Sequence, residues 1–180
     1  MMTVNDCKII ELPKFLDERG NLSFVQNYTQ IPFEIKRTYW LYDVPGGVGR
    51  GGHGEKENEE LIIAMSGSFN IMVDDGKEQK VFTLNRSYYG LYIPKGLWRE
   101  IRDFSTNALS LEFGSIEYSE NDYIRDYAEF LAFRNSISDR NTEKQNICQA
   151  ETITVKSDKY SVFDCTMVEL DKHHSNRKGN

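Results

Sequence analysis

Eight short apolar or alternating runs, separated by turn signals, fill the chain between residues 7 and 113 and constrain its fold more than any other feature. Runs of this length, rich in β-branched and aromatic side chains, predict strands. Asp74-Asp75-Gly76 is a hairpin signal, because Asp and Gly accept the positive φ of a tight turn, and Pro94-Lys95-Gly96 is a second turn. With no helical pattern between them, the runs predict an all-β sandwich or barrel. The predicted strands are Cys7–Leu12, Leu22–Val25, Ile35–Val44, Leu61–Met65, Phe69–Val73, Val81–Leu84, Tyr89–Ile93 and Ala108–Phe113.

The apolar pattern changes period after the last predicted strand. Residues 119–122 (Ser-Glu-Asn-Asp) resemble a helix start, in which the serine caps free backbone amides. Tyr123, Tyr127, Phe130 and Leu131 follow with helical spacing. This spacing predicts one C-terminal helix whose apolar face packs against the barrel.

The sequence near the end of the chain is similar to the sequence near its beginning. Residues 164–172 share five of nine positions with residues 6–14, and Gly179-Asn180 repeats Gly20-Asn21. An internal repeat of this kind changes the predicted domain organisation. We predict an all-β domain over 1–135, a polar linker over 136–151, and an extended tail over 152–180 that begins a truncated second repeat. The alternative is chance similarity between two amphipathic strands.

Charge, hydropathy and cysteine content exclude several classes of protein. A net charge of -6 argues against a nucleic-acid-binding surface, although a few local arginines can still hold a phosphate. No stretch approaches the roughly 20 apolar residues of a membrane span, and the N-terminus shows no secretory signal. Cys7, Cys148 and Cys165 are too few and too scattered for a disulfide framework or a zinc site. We therefore predict a cytoplasmic protein with free thiols and no membrane contact.

The segment Gly49–Lys56 (GRGGHGEK) contains the only histidine before residue 173. We interpret the segment as a glycine-rich connection between two strands, a position where catalytic groups are common. His53 has an ordinary pKa near neutrality and can move a proton next to a carbonyl group. In extended backbone Glu55 projects beside His53, as its orienting partner or as a second proton carrier. The alternative is a loop histidine satisfied by backbone groups.

The candidate site has a poor donor set for a metal ion. One imidazole surrounded by carboxylates does not suit zinc or iron, which favour several nitrogen ligands. We therefore predict no metal and no cofactor. Donors that could hold phosphates or an enolate oxygen are Arg37, Tyr39, Arg50 and Arg99. Aromatic side chains that offer a flat surface for a base or sugar ring, or alternatively belong to the barrel core, are Tyr89, Tyr92 and Trp98.

Five collinear motifs between about residues 7 and 134 resemble the sugar-nucleotide 3,4-ketoisomerases, the WxcM-like or FdtA-type cupins. The motifs are Asp17–Gly20 (DERG), Ile31–Tyr39 (IPFEIKRTY), Arg50–Lys56 (RGGHGEK), Gly90–Glu100 (GLYIPKGLWRE) and Asp122–Arg125 (DYIR). The resemblance implies an antiparallel double-sheet jelly roll that is usually dimeric and binds no metal. We accordingly predict a homodimer.

The resemblance also implies an activity. Known family members convert dTDP-4-keto-6-deoxyglucose to its 3-keto isomer in the biosynthesis of amino sugars for surface polysaccharides. The implied chemistry removes a proton from sugar C3, passes through an enediol, and returns a proton to C4. The implied catalytic residues are His53, Glu55 and Tyr39. The implied substrate-binding residues are Arg19, Arg37, Arg50, Lys56, Tyr89, Trp98 and Arg99.

The chain departs from the family motif Arg-Gly-x-His-x-His-Lys at one position, where Glu55 replaces the second histidine. A carboxyl group can perform the same proton transfer when its pKa is raised. Arg99 occupies a position where related enzymes carry different polar residues, which implies an influence on product stereochemistry. Two alternatives stay open: a sugar-nucleotide-binding module without chemistry, and an epimerase or isomerase of another nucleotide sugar.

Overall fold

Two antiparallel five-stranded sheets dominate the part of the chain that the computed structural model describes, residues 1–138. Short 3-10 turns cover Val4–Asp6 and Glu120–Asp122, and helix α1 covers 127–138. The strands are β1 (Lys8–Glu11), β2 (Phe15–Asp17), β3 (Gly20–Leu22), β4 (Arg37–Leu41), β5 (Arg50–Glu55), β6 (Glu60–Ser66), β7 (Phe69–Asp74), β8 (Gln79–Leu84), β9 (Tyr89–Ile93), β10 (Trp98–Arg102), β11 (Leu109–Gly114) and β12 (Tyr123–Ile124).

The strand order confirms the predicted double-sheet jelly roll with one C-terminal helix. The first sheet has the order β1-β9-β6-β11-β4 and the second the order β12-β5-β10-β7-β8, while β2 and β3 form a separate hairpin. Every pair of neighbouring strands is antiparallel. Met1–Ser136 form one compact unit. The remainder of the predicted linker, 139–151, and the predicted tail and second repeat, 152–180, lie outside the described residues.

Strand β6 shows how the core is divided between the two faces of the first sheet. Ile62 and Ala64 point between the sheets and join the central apolar cluster. Leu61 and Ile63 point to the outer face, where they pack with Phe33 and other side chains of the 23–35 segment. Because both faces of β6 are covered, its sequence is a continuous apolar run. Along β6, the side chain that faces the space between the sheets is therefore polar at Glu60 and apolar at the positions that follow.

The hairpin and turn signals are confirmed, with modest shifts in strand bounds. Gly76 has φ +85° in the turn between β7 and β8, and Gly96 has φ +79° in the turn between β9 and β10. The predicted strand Leu22–Val25 is wrong beyond its first residue, because the paired segment is Gly20–Leu22, opposite Phe15–Asp17. Each strand of this hairpin has only three residues, which is too short to show a strand pattern in the sequence.

The segment around His53 is a strand, which corrects its interpretation as a glycine-rich connection. Arg50–Glu55 pair with β10 on one side and, at their end, with β12 on the other. The glycines allow close packing: a Cβ at Gly51 would lie 1.9 Å from Nη1 of Arg99, and one at Gly54 would lie 2.8 Å from the Phe130 ring. Gly51 also has φ +66°, a conformation that L side chains rarely adopt.

The helix begins later than the sequence predicted. Ser119 makes no side-chain cap, and Tyr123 belongs to β12 instead of the helix. The Asp122 carboxylate, which looked like part of a capping motif, accepts hydrogen bonds from the Glu57 and Asn58 amides. Asp126 caps α1 instead, since its side chain accepts from the Glu129 amide at 2.9 Å. Within residues 1–138, no helix is long and apolar enough to cross a membrane.

Candidate active site

A cluster of polar side chains occupies one end of the space between the two sheets. Its members point inward from five strands, because alternate residues of a strand face opposite sides. Each member except Tyr39 has at most 6% of its surface exposed. Ionisable groups are seldom buried without a partner or a function. We call this set the polar cluster; it consists of Tyr39 from β4, His53 and Glu55 from β5, Glu60 from β6, Arg99 from β10 and Glu112 from β11.

Arg99 is the centre of the polar cluster. Its guanidinium donates to Glu60 through Nε (2.9 Å) and Nη2 (3.0 Å), and Nη2 also donates to Glu112 at 3.1 Å. Burial opposes the charge of Arg99, but the facing Glu60 carboxylate outweighs burial and raises the pKa of Arg99. Burial likewise opposes ionisation of Glu60, and Arg99 overcomes it and lowers the pKa of Glu60 to about 2. Arg99 and Glu60 therefore remain ionised at neutral pH.

His53 lies beside Arg99 in the sheet, since the two residues are directly paired across β5 and β10. Burial, and then the positive charge of Arg99, lower the pKa of His53 to about 3. Its Nε2 is buried and has no hydrogen-bond partner within residues 1–138, and it lies 3.9 Å from Oε1 of Glu55. At neutral pH His53 is thus a neutral imidazole. These observations do not support the alternative of a loop histidine satisfied by backbone groups.

Glu55 projects beside His53, as the two-residue spacing predicted. Oε1 accepts from Arg37 Nη2 at 3.3 Å, and Oε2 accepts from Asn58 Nδ2 at 2.8 Å. Burial, followed by the negative charge of Glu60, raises the pKa of Glu55 to about 8. The carboxyl group therefore keeps its proton at neutral pH. A neutral base and a neutral acid face each other at this end of the barrel.

Tyr39 connects the cluster to Arg37. Its hydroxyl donates to Glu60 at 2.5 Å and accepts from Arg99 at 3.0 Å. Burial and the Glu60 charge raise the pKa of Tyr39, so the hydroxyl keeps its proton. The Arg37 guanidinium lies 5.0 Å from the Tyr39 ring centroid and donates to the Tyr123 hydroxyl at 3.1 Å. Tyr123 in turn packs against His53, with ring centroids 4.7 Å apart.

The structure thus brings together Tyr39, His53, Glu55, Arg99 and Arg37, and places the other predicted site residues elsewhere in the fold. Trp98 points to the opposite face of β10 from Arg99 and packs against Tyr127 and Phe130 of α1.

Four predicted substrate-binding residues make their contacts outside the polar cluster. Tyr89 packs against the central apolar cluster and donates to Asn85. Arg19 is exposed on the β2–β3 hairpin and pairs with Asp17 at 2.8 Å. Lys56 donates to the backbone oxygen of Asn121 at 2.6 Å. Arg50 lines a cavity of about 260 Å³ at the surface. Their roles in binding stay predictions.

The sequence did not identify Glu60, Glu112 and Asn58 as site residues, and it predicted Tyr123 only as part of the helix. In β11, Ser110 and Glu112 alternate with Leu109, Leu111 and Phe113. Such alternation normally places polar residues toward water, but here Ser110 and Glu112 point inward with no exposure. The available signal was a glutamate within an otherwise apolar strand next to a candidate site.

Comparison with known proteins gives consistent matches. The family model described as FdtA: WxcM-like, C-terminal matches residues 5–135. A TDP-4-oxo-6-deoxy-alpha-D-glucose-3,4-oxoisomerase from Aneurinibacillus thermoaerophilus is 36% identical over 138 residues, which cover 77% of this chain and 97% of the relative.

Two crystal structures illustrate the structural similarity. A 3,4-ketoisomerase from Helicobacter canadensis is 46% identical with a TM-score of 0.71, over 72% of this chain and 98% of that chain. A histidine-to-asparagine variant of the 3,4-ketoisomerase QdtA from Thermoanaerobacterium thermosaccharolyticum is 31% identical with a TM-score of 0.72, over 74% of this chain and 96% of that chain. The latter protein was crystallised in complex with TDP-4-keto-6-deoxyglucose.

Proposed function

The chain belongs to the FdtA (WxcM-like, C-terminal) family, and on that basis we propose that it is a dTDP-sugar 3,4-ketoisomerase acting on dTDP-4-keto-6-deoxyglucose. The substrate follows from the relatives, one of which is named for it and another of which binds it. One observation in the chain itself carries the proposal: Nε2 of neutral His53, which has no hydrogen-bond partner among residues 1–138, lies 3.9 Å from Oε1 of protonated Glu55. An enolising isomerase needs such a base and acid together.

In the first step, His53 Nε2 removes the proton from sugar C3. The released electron pair forms the C3–C4 double bond, and the C4 carbonyl oxygen takes the proton of Glu55. The products are a neutral enediol, an imidazolium and a carboxylate. The two charges are created next to each other in a buried site, where their attraction is stronger than in water.

In the second step, both protons move again. The Glu55 carboxylate removes the proton from the oxygen on C3, and the C3 carbonyl forms. The electron pair of the double bond takes the proton of the imidazolium at C4. His53 and Glu55 return to their neutral forms, so a carboxyl group can replace the second histidine of the family motif without changing the proton balance.

The rest of the polar cluster keeps these groups in their starting states. The positive charge of Arg99 disfavours protonation of His53, and the negative charge of Glu60 disfavours ionisation of Glu55. The Tyr39 hydroxyl donates to Glu60 and helps to keep that carboxylate ionised. Arg37 places further N–H donors at the same end of the barrel, where they would stabilise negative charge that develops on the sugar oxygens during proton transfer. Binding roles for Arg19, Arg50, Lys56, Tyr89, Trp98 and Arg99 form part of the proposal.

The test is to incubate the protein with dTDP-4-keto-6-deoxyglucose in deuterated buffer and follow the sugar protons by NMR. We expect a 3-keto product, with deuterium at C4 in the turnovers in which the imidazolium N–H exchanges with solvent before it protonates the sugar. His53→Asn should lower kcat by about 10²- to 10⁴-fold, the range for loss of a general acid–base group. The matched control is Glu57→Gln, which removes an exposed carboxylate paired with Lys95 and should leave kcat unchanged. Binding of the substrate without exchange at C3 or C4 would instead support the non-catalytic alternative.

We also infer that the protein forms a homodimer in the cytoplasm. A groove of about 600 Å³ on the outer face of the first sheet is lined by exposed apolar side chains that include Leu16 and Leu22, and such surfaces commonly mark protein contacts. The buried free thiol of Cys7 supports a reducing compartment. Light scattering should report twice the chain mass for the wild type and a single chain for Leu22→Asp. A monomeric wild type would contradict the dimer.

A further inference from the structure

Asn58 lies between β5 and β6 and is almost completely buried, with 2% of its surface exposed. Its Nδ2 donates to Oε2 of Glu55 at 2.8 Å. We propose that Asn58 is a positioning residue that fixes Glu55 so that Oε1, the oxygen facing His53, carries the exchangeable proton. This inference deepens the proposed ketoisomerase function and rests on it.

The orientation of the Asn58 amide is determined by its other neighbours. Its Oδ1 accepts from the backbone amide of Ile116 at 3.3 Å and from Oγ of Ser115 at 3.4 Å. A backbone N–H can only donate, so the amide oxygen must face Ile116. The NH₂ group then faces Glu55. The backbone N–H of Asn58 is held separately by Asp122 at 3.2 Å, which fixes the position of the whole residue.

This orientation distinguishes the two oxygens of Glu55. Both oxygens face groups that can only donate, but Oε2 receives the shorter hydrogen bond, 2.8 Å from the Asn58 NH₂ group, and it therefore acts as the carbonyl oxygen of the neutral acid. Oε1 has the longer contact, 3.3 Å to Arg37, and lies 3.9 Å from Nε2 of His53. The acidic O–H is consequently on the side of the carboxyl group where the base is.

The placement has a direct chemical consequence. In the proposed first step the O–H bond at Oε1 breaks, its proton passes to the C4 oxygen of the sugar, and Glu55 is left as a carboxylate. In the second step the same oxygen takes the proton from the oxygen on C3. Without Asn58 the carboxyl group can rotate and present its carbonyl oxygen to the sugar, and a misplacement of about 1 Å can cost roughly 10²-fold in rate.

The decisive variant is Asn58→Asp, which can still accept from Ile116 but cannot donate to Glu55. We expect kcat to fall about 10- to 100-fold while KM changes by less than about twofold. The basic limb of the pH profile should move to higher pH, because a second carboxylate opposes ionisation of Glu55. A loss of kcat without movement of that limb would overturn the inference, since a purely architectural role predicts that result.

A double-mutant cycle separates positioning from general damage. In the Glu55→Gln background, Asn58→Asp should lower kcat by no more than about twofold, because the group that Asn58 orients is gone. If the loss of kcat in the double variant equals the product of the losses in the two single variants, Asn58 acts independently of Glu55. Circular dichroism verifies that each variant is folded. If Asn58→Asp does not fold, Asn58→Ala carries the same test.

A measurement without substrate keeps this inference distinct from the proposed function. The carboxyl carbon of Glu55 can be followed by ¹³C NMR in glutamate-labelled protein and assigned by its absence in Glu55→Gln. Its titration midpoint should rise in both Asn58→Asp and Asn58→Ala, since each removes the donor that stabilises the carboxylate. An unchanged midpoint would overturn the role of Asn58. An inactive wild type whose midpoint moves as expected would contradict only the ketoisomerase.

Discussion

Replacing Glu55 by Gln should make the protein more stable than the wild type, and increasingly so as pH rises. Glu55 has an ordinary pKa of 4.5 in the unfolded chain and a pKa of about 8 in the folded protein, chiefly because it is buried. Above pH 4.5 the unfolded chain releases this proton and the folded protein keeps it. Folding is therefore penalised progressively from about pH 4.5 up to about pH 8. Gln cannot ionise and carries no such penalty.

The size of the effect follows from the two pKa values. Each pH unit in which only the unfolded chain has lost the proton costs about 1.4 kcal/mol. Between pH 5 and pH 7 this gives about 2.5 kcal/mol, after allowing for partial ionisation of the unfolded chain at pH 5. The difference in unfolding free energy between Glu55→Gln and the wild type should grow by that amount.

Urea unfolding followed by tryptophan fluorescence at pH 5, 6 and 7 measures the difference directly. Working with the difference removes the contribution of His53, whose lowered pKa destabilises the folded protein as pH falls below 6.5. Glu57→Gln is the matched control, because that carboxylate lies in solvent against Lys95, and its difference from the wild type should stay constant. If the difference in unfolding free energy between Glu55→Gln and the wild type stays constant or decreases as pH rises, the assignment of Glu55 as a neutral acid is refuted.

Three further predictions concern the site and the packing around it. The kcat/KM of the free enzyme should decline above about pH 8, where Glu55 loses its proton, and a profile that is flat to pH 9 would contradict this. Gly51→Ala should lower kcat about 10- to 100-fold, because its Cβ would displace the Arg99 guanidinium, whereas Gly46→Ala, in open space, should not. Trp98→Ala should lower the unfolding free energy by about 3 to 5 kcal/mol, and the exposed Trp40→Ala by less than about 0.5 kcal/mol, both by urea titration.

The sequence was sufficient to predict the fold class, because a jelly roll needs little more than short strands and turns in the right order. Runs such as Phe69–Val73 and the turns at Gly76 and Gly96 are local signals, and all were found where predicted. The sequence did not predict strand β5, because three of its six residues are glycine and two more carry charge, a composition typical of loops. Its extended conformation depends on pairing with β10 and β12, which are distant in sequence.

The helix start shows why local motifs can mislead. Ser119 and Asp122 have the spacing of a helix cap, but Asp122 binds amides in the loop after β5 instead. Two long-range hydrogen bonds at a buried site outweigh a capping interaction, which contributes only about 1 kcal/mol. Asp126, four residues later, then takes the capping position.

The candidate site was only half visible in the sequence. His53 and Glu55 are neighbours along the strand, so their proximity follows from the two-residue period of extended chain. Their protonation states do not, because the pKa values depend on burial and on the charges of Arg99 and Glu60, which arrive from other strands. Glu112 and Asn58 carry no local mark of function and acquire their roles only through contacts made across the sheets.

The amino-acid sequence alone determined an all-β jelly roll and its family resemblance, and it supplied the candidate proton-carrying pair His53 and Glu55, since each depends on patterns within a few residues. Only the tertiary structure decided that His53 is neutral, with an Nε2 that has no partner in the described part of the chain, and that Glu55 keeps its proton at neutral pH. The physical reason is that ionisation free energies sum burial and charge over the whole barrel end. Residues as far apart in the chain as Arg37 and Arg99 contribute to that sum only after the sheets have packed together.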